Sequence, residues 1–152
     1  MAIVYLGLGT NIGNKRRNMI TAAALLAERV GDILALSGFY ETEPWGFESE
    51  NIFLNASVKL KTSFSPLELL QITQQIEKEL GRTEKSNGTY HDRIIDIDIL
   101  LYDDEVLQMP GLILPHPLMH ERKFVMAPLS EIAPFVVHPV LKERIIDLKE
   151  RL

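Results

Sequence analysis

The chain has 152 residues, enough for one globular domain, and its 46% hydrophobic and 24% charged residues exclude intrinsically disordered and fibrous classes. It contains no cysteine, so disulfides, thiolate metal sites and cysteine nucleophiles are excluded. The formal net charge of −5 argues against nucleic-acid binding through a broad basic surface, and every apolar run is shorter than the roughly 18 residues of a membrane span.

A strand and a helix open the chain. Residues 3–8 predict a strand that ends in a glycine-rich turn between Gly7 and Gly13. These glycines follow neither the dinucleotide-binding nor the Walker spacing, so they predict a tight connection from strand to helix. Residues 14–30 predict a helix with an Ala- and Leu-rich centre, and Gly31 is placed to terminate it.

Two strands and a second helix follow. Residues 33–42 and 52–62 predict strands that are separated by the loop 43–51. Ser65 opens a capping box with a proline at the first helical position. The helix that starts there has one apolar face and stops at Gly81.

The last third of the chain completes the element order. A polar loop over 82–92 leads into a strand over 93–102, four prolines then punctuate short segments, and regularly spaced Ile and Leu predict a final helix over 141–152. The order β-α-β-β-α-β with a tail predicts a single domain over 1–152 of the α+β class. A ferredoxin-like sandwich, with two helices on one face of a mainly antiparallel four-stranded sheet and a C-terminal extension, is the simplest fold for this order.

The strand over 93–102 carries the strongest chemical signal. With a side-chain period of two, Asp96 and Asp98 face one side while the isoleucines between and around them face the other. Aspartate is depleted from strands, and two carboxylates about 6.6 Å apart repel each other unless a cation lies beside them. Such oxygen ligands are typical of Mg²⁺, which takes one or two carboxylates plus substrate phosphates. An edge strand protected from pairing by acidic residues is the alternative.

Basic residues flank this strand in the sequence. They are Arg82, Lys85, His91 and Arg93 before it, and His116, His120, Arg122 and Lys123 after it. If these basic side chains lie among the two carboxylates, they could bind a metal-bound polyphosphate. The alternative is a solvated surface on which neighbouring acidic residues neutralise them. The i,i+4 spacing of His116 and His120 also permits a zinc chelate, although no H-E-x-x-H motif is present.

Several blocks of the chain have the order and similar spacing of one family's signatures. They are F-Y-E-T-E-P-W-G at 39–46, F-L-N-A at 53–56, G-R at 81–82, R-I-I-D-I-D-I-L at 93–100, L-P-H at 114–116, R-K-F at 122–124 and A-P-L at 127–129. From Gly7 to about Pro134, the chain resembles the 6-hydroxymethyl-7,8-dihydropterin pyrophosphokinases. The resemblance implies an ATP-dependent diphosphotransferase of folate biosynthesis, which moves pyrophosphate from ATP to the hydroxymethyl oxygen of the pterin and releases AMP.

The resemblance also implies the site. Asp96 and Asp98 would hold two Mg²⁺ ions that bridge the triphosphate, and they form the catalytic set with Arg82 and Arg93. The residues implied to contact ATP are Gln74, Glu77, Arg82, Arg93, Ile99, His116 and Arg122. The residues implied to bind the pterin are Thr42, Pro44, Trp45, Phe53, Asn55, Tyr90 and Phe124, with aromatic rings that sandwich the flat bicycle and an amide that reads its edge. The polar loops 43–51 and 81–92 would close over the bound substrates.

The expected partners are the two small-molecule substrates, without nucleic acid or membrane, and the expected state is a monomer or a weak homodimer. The N-terminus lacks the basic start and cleavage site of a signal peptide, so a cytoplasmic location is expected. Two rival classes use similar residues: a metal-dependent nuclease or phosphatase, and a non-catalytic ligand-sensing module of the same fold. The aromatic residues grouped with Asn55 favour the transferase over both.

Overall fold

A computed structural model describes residues 1–42, 52–81 and 94–152 of the chain. In order, its elements are β1 (Ala2–Thr10), α1 (Lys15–Arg29), β2 (Gly31–Leu36), β3 (Tyr40–Thr42), β4 (Phe53–Thr62), α2 (Pro66–Glu79), β5 (Asp96–Tyr102), β6 (Leu107–Met109), β7 (Leu112–Leu114), a 3-10 helix (Met119–Glu121), α3 (Lys123–Ile132) and α4 (Ile145–Glu150). Within the described ranges, no helix combines the length and the apolar character needed to cross a membrane.

The main sheet is antiparallel and has the strand order β2-β4-β1-β5. The short strand β3 also pairs with β4, so β2 and β3 lie one after the other along the same side of that strand. Helix α1 connects β1 to β2, and α2 lies between β4 and β5. This arrangement is that of a ferredoxin-like sheet, so the predicted α+β fold is confirmed.

The strand predicted over 33–42 is interrupted, and the prediction of one continuous strand was wrong. At the break, the Ser37 hydroxyl accepts the backbone N–H of Ser57 at 2.8 Å. The next backbone N–H, that of Gly38, donates to the Glu131 carboxylate at 3.1 and 3.2 Å. The Ser37 N–H still donates to the Ser57 carbonyl at 2.9 Å. The regular pairing therefore ends at Ser37, and side chains, one of them from a residue far along the chain, make the other bonds at the break.

Helix α1 ends directly before Gly31, as predicted, but Gly31 does not have the positive φ of a glycine cap. The helix ends at Arg29 with Val30 as its C-cap, and Gly31 is the first residue of β2. A Cβ at Gly31 would overlap the carbonyl oxygen of Lys61 on β4. The glycine is therefore explained by the close approach of two strands.

Both faces of the sheet are covered by helices. On one face, α1 and α2 enclose a core that includes Leu6, Leu26, Val58, Ile76 and Ile97. On the opposite face, α3 and α4 enclose a second core that includes Tyr5, Leu101, Met126, Leu129 and Ile145. The predicted extension therefore forms a third layer, and we call the two sides the α1/α2 face and the α3/α4 face.

The sequence did not predict α3, and it predicted too long a final helix. Proline disfavours helix interiors, yet Pro128 lies inside α3 and is buried there. The final helix covers Ile145–Glu150 rather than 141–152. Residues 137 and 144 are joined by an isolated β-bridge instead, which takes the start of the predicted helix out of helical geometry.

Strand β5 contains a β-bulge. Tyr5 pairs with Leu101, but the next residue of β1, Leu6, pairs with Ile99, so Leu100 is the extra residue. Leu100 and Leu101 both belong to the α3/α4 core. The alternation of side chains between the two faces of the sheet is therefore shifted by one residue after Ile99.

Candidate active site

The paired aspartates lie on the α3/α4 face of β5. Ile97 and Ile99 belong to the α1/α2 core, so the alternation predicted for this strand is confirmed. Asp96 lies opposite Gly9 and Asp98 lies opposite Gly7 on β1, and both aspartates are half-buried. The two glycines are thus strand residues rather than parts of a turn, which corrects the prediction for this motif.

Two carboxylates in this position fit Mg²⁺. Within 1–42, 52–81 and 94–152, no three or more His, Cys, Asp or Glu side chains are grouped to hold a metal ion. An ion held by Asp96 and Asp98 would take its further ligands from outside this pair. Mg²⁺ is typically bound in this way, through one or two carboxylates together with phosphates.

His116 lies beside these carboxylates. Its backbone N–H donates to the carbonyl oxygen of Leu100 at 3.0 Å, and its ring Nδ1 accepts the backbone N–H of Leu118 at 3.3 Å. Burial, and after it the Arg122 charge, lower the pKa of His116 to about 4, against an opposite effect of Asp96. At neutral pH the ring is therefore uncharged, with Nδ1 as an acceptor and Nε2 carrying the proton.

Arg122 is a buried cation close to this histidine. It precedes α3 and is 8% exposed, and its guanidinium carbon lies 5.7 Å from the centroid of the Phe124 ring. Its influence on the pKa of His116 places its charge near that ring. The charges of Asp96 and Arg122 thus both act on the His116 ring, and the assignment of these residues to a phosphate site stays a prediction.

A cavity of about 310 Å³ opens at the outer edge of β5. Its walls are mostly apolar, with Asp98 and His116 as the charged or titratable groups; the lining residues are Leu70, Ile97, Asp98, Ile99, Gly111, Leu112, Ile113, His116 and Pro117. Ile99, which the sequence assigned to the nucleotide, is therefore at a ligand-sized opening.

The β6–β7 hairpin, which was not predicted from the sequence, forms one wall of this cavity. Its turn contains Pro110 and Gly111, and Gly111 has a φ of 85°. Proline followed by a glycine of positive φ is typical of a type II turn. The Pro-Gly pair between two apolar segments was therefore the signal that predicts this hairpin.

Glu77 is directed at the backbone of β5. The side chain lies on α2 and is 5% exposed, and its Oε2 accepts the backbone N–H of Ile97 at 2.8 Å. Gln74, one helical turn earlier, is exposed and is absent from the lining of the cavity. The geometry thus gives Glu77 a structural contact in addition to the nucleotide contact implied by resemblance.

A second polar group lies across the sheet from the aspartates. Asn55 on β4 is 6% exposed, and its Nδ2 donates to the Thr42 hydroxyl at 2.7 Å. The neighbouring ring of Phe53 lies on the same face and is half-buried. The structure therefore groups three of the residues that the sequence assigned to the pterin.

The sheet register joins the two groups. Tyr40, Asn55, Gly9 and Asp96 are consecutive partners across β3, β4, β1 and β5. Directly opposed residues project to the same face of an antiparallel sheet. The carboxylate of Asp96 and the amide of Asn55 are therefore on one surface, separated by a residue without a side chain.

Helix α3 is fastened to this surface at both ends. Phe124, its second residue, is half-buried against the α3/α4 core, and Glu131 near its other end accepts hydrogen bonds from the hydroxyl of Tyr40 and from the N–H of Gly38. The hydrogen bond to Glu131, and after it burial, raise the pKa of Tyr40 to about 12. Glu131, which was not identified from the sequence, thus ties the C-terminal end of α3 to β3.

Several predicted residues lie outside the described part of the chain. They are Pro44, Trp45, Arg82, Tyr90 and Arg93, together with almost all of the two loops expected to close over substrates.

The two histidines of the zinc alternative lie in different places. The His120 ring packs edge-on against His138, with 5.9 Å between ring centroids, whereas His116 lines the cavity. The two histidines therefore face different surroundings.

The chain is similar to known pyrophosphokinases. Residues 5–134 match the family model described as 7,8-dihydro-6-hydroxymethylpterin-pyrophosphokinase (HPPK). Proteins named 2-amino-4-hydroxy-6-hydroxymethyldihydropteridine pyrophosphokinase are 57% identical over 141 residues in Porphyromonas gingivalis, covering 91% of this chain and 95% of the relative. One in Aquifex aeolicus is 44% identical over 149 residues, covering 98% of this chain and 91% of the relative.

A similar fold is found among solved structures. The crystal structure of Plasmodium falciparum HPPK-DHPS with pteroate has a TM-score of 0.80 and 18% sequence identity, and the match covers 99% of this chain. This chain spans 44% of that longer chain. At this level of identity the likeness concerns the fold alone.

Proposed function

This chain belongs to the 7,8-dihydro-6-hydroxymethylpterin-pyrophosphokinase family, and on that premise we propose how its own residues perform the reaction. The family's activity is pyrophosphoryl transfer from ATP to 6-hydroxymethyl-7,8-dihydropterin in folate synthesis. The observation that carries the proposal is the cross-strand row in which Asp96, Gly9 and Asn55 are neighbours. It supports a site in which the phosphates of ATP and the pterin ring bind side by side on one face of the sheet.

The nucleotide is assigned to the cavity at β5. Its volume of about 310 Å³ is within the usual range for small-molecule pockets, and its apolar walls suit a flat base. His116, uncharged at neutral pH, donates through Nε2 to a phosphate oxygen, and the buried guanidinium of Arg122 supplies positive charge. We assign Arg82 and Arg93 to the phosphates as well, on the resemblance of their motif alone.

Asp96 and Asp98 are assigned to two Mg²⁺ ions. Their carboxylates are half-buried on a rigid strand and share one face, which suits hard cations that also bind phosphate. When bound there, Mg²⁺ supplies positive charge against the triphosphate. The protein's part is to hold both carboxylates in a fixed position before the nucleotide arrives.

The pterin is assigned to the group around Asn55. The Thr42 hydroxyl fixes the orientation of the Asn55 amide by accepting from Nδ2 at 2.7 Å, while Phe53 and Phe124 supply apolar faces for the ring. Trp45, Pro44 and Tyr90 are proposed to complete this subsite. The hydroxymethyl oxygen then forms a bond to the β-phosphorus, and the bond between that phosphorus and the oxygen of the α,β bridge breaks. AMP leaves with the bridging oxygen, and the hydroxyl proton is released to solvent.

We further propose that the chain acts in the cytoplasm as a single domain, either as a monomer or as a weak homodimer. Its sequence contains no cysteine and thus needs no oxidising compartment to fold. The proposed partners are its two small-molecule substrates. Size-exclusion chromatography over a range of concentrations would measure the oligomeric state.

Methylene analogues of ATP test the reaction. An analogue with CH₂ in the α,β bridge is expected to bind without reacting, because a carbon leaving group is too poor. An analogue with CH₂ in the β,γ bridge is expected to react and to release AMP in the presence of hydroxymethyl-dihydropterin. Release of ADP, or turnover of the α,β analogue, would instead indicate an ordinary kinase or phosphatase and would contradict the proposal.

A further inference from the structure

Gly9 occupies the middle of the row that joins the two halves of the site. It pairs with Asn55 of β4 on one side and with Asp96 of β5 on the other. Neighbouring strands lie about 4.8 Å apart, so the backbones that carry Asn55 and Asp96 are separated by about 10 Å. A position without a side chain thus lies between an amide and a carboxylate that point to the same face.

The space above Gly9 is bordered by the amide oxygen of Asn55. A Cβ at this position would lie 3.1 Å from Asn55 Oδ1 and 3.8 Å from Cδ1 of Phe53. Asn55 is buried and its Nδ2 is bound to Thr42. The amide oxygen would have to move by a few tenths of an ångström, and this movement would turn the amide away from its present orientation.

Gly7, two residues earlier on the same face, differs in its surroundings. The three atoms nearest to a Cβ at Gly7 all belong to the side chain of Leu100, at 3.5 to 3.7 Å. These are ordinary van der Waals distances, so a methyl group fits there without movement. Gly7 therefore offers a matched control in the same strand.

We propose that Gly9 is a specificity-determining residue. Its missing side chain leaves the room in which the flat pterin reaches the Asn55 amide while its hydroxymethyl group is directed toward Asp96. This inference rests on the function proposed above. Gly9 is absent from the lining of the nucleotide cavity, and the atoms within 4 Å of a Cβ at this position belong to Asn55 and Phe53, so we expect a methyl group there to affect the pterin more than the nucleotide.

Gly9→Ala and Gly7→Ala test this inference against the wild-type enzyme. AMP formation from ATP and hydroxymethyl-dihydropterin gives KM for each substrate, and calorimetry gives Kd for the pterin and for the α,β-methylene analogue of ATP. We expect Gly9→Ala to raise KM and Kd for the pterin by about tenfold or more, a loss equivalent to one good polar contact. Both constants for the nucleotide are expected to stay within about twofold of wild type, and Gly7→Ala is expected to leave all four unchanged.

A double-mutant cycle separates the proposed cause from general damage to the strand. Asn55→Ala removes the atom that a Cβ at residue 9 would displace, so adding Gly9→Ala to Asn55→Ala should cost much less pterin affinity than adding it to wild type. Unchanged pterin binding in Gly9→Ala would overturn the inference, and so would an equal loss in both backgrounds or a loss of nucleotide binding. If the wild-type protein forms no pterin-dependent AMP, the proposed function fails first and the inference with it.

Discussion

The carboxylate of Glu77 accepts a hydrogen bond from the backbone N–H of Ile97, with 2.8 Å between Oε2 and N. Ile97 lies between Asp96 and Asp98, and in the described sheet β5 pairs with β1 alone. Glu77 therefore serves as the partner of this N–H at the outer edge of the strand. A helix thus fixes the backbone segment from which both proposed metal-binding carboxylates project.

Replacing Glu77 is expected to disturb Mg²⁺ dependence. Glu77→Ala leaves the Ile97 N–H without this acceptor, at a cost of about 1–3 kcal/mol in unfolding free energy, and it loosens the aspartate pair. Glu77→Gln retains an accepting oxygen and should keep both the thermal midpoint and the Mg²⁺ concentration for half-maximal turnover near wild type. If the two variants lose activity equally, the negative charge of Glu77 acts on the nucleotide instead.

Removing either aspartate is expected to abolish turnover without unfolding the protein. Asp96→Ala and Asp98→Ala should each reduce kcat by several orders of magnitude. Each should leave the thermal midpoint equal or higher, because one of two neighbouring like charges is removed. Asp104→Asn, at an exposed position of the loop after β5, is the control for a lost charge. Near-normal turnover of both alanine variants in saturating Mg²⁺ would refute the metal assignment.

The two substrates should respond differently to changes around Asn55. Asn55→Ala is expected to weaken pterin binding by about 1–3 kcal/mol and to change nucleotide binding little, and Phe124→Ala should act similarly through lost stacking. Phe135→Ala removes an aromatic ring that is 69% exposed and is the matched control. Calorimetry that finds equal losses for pterin and nucleotide would argue against separate subsites.

The stability of the C-terminal segment is expected to depend on pH through His138. Its ring is 3% exposed, and Nδ1 accepts the backbone N–H groups of Val140 at 3.2 Å and Leu141 at 3.0 Å. Burial first, and then the charge of His120, lower the pKa of His138 from 6.5. The neutral ring therefore contributes its full stabilisation above about pH 6.5, and this contribution is lost as the pH falls below that value.

Thermal midpoints between about pH 7.5 and pH 5 measure this contribution. The wild-type midpoint should fall on acidification, and His138→Gln should lower the midpoint at pH 7.5 but show a shallower fall. His116, whose pKa is also lowered, is present in both proteins, so the difference between the two curves isolates His138. Parallel curves would contradict the prediction.

The features that were predictable from the sequence depend on local pattern. The capping box at Ser65 is present, with Glu68 and Ser65 bonding each other's backbone, and the alternation around Asp96 follows from strand geometry. The break at Ser37 was not predictable in this way, since it involves the carboxylate of Glu131, 93 residues beyond Gly38. Helix α3 was missed for a similar reason: its burial against the sheet outweighs the local effect of Pro128.

The bulge in β5 has a consequence for how the site is encoded. The carbonyl oxygen that holds the backbone of His116 belongs to Leu100, the extra residue of the strand. This hydrogen bond uses a backbone carbonyl, so it does not require a leucine side chain at position 100. Deletion of one residue would remove the bulge and with it this carbonyl, while Asp96 and Leu101 would still project to the same face of the sheet. The bond between Leu100 and His116 thus depends on the number of residues in the strand, so an insertion or deletion in β5 would disturb it more directly than a side-chain replacement.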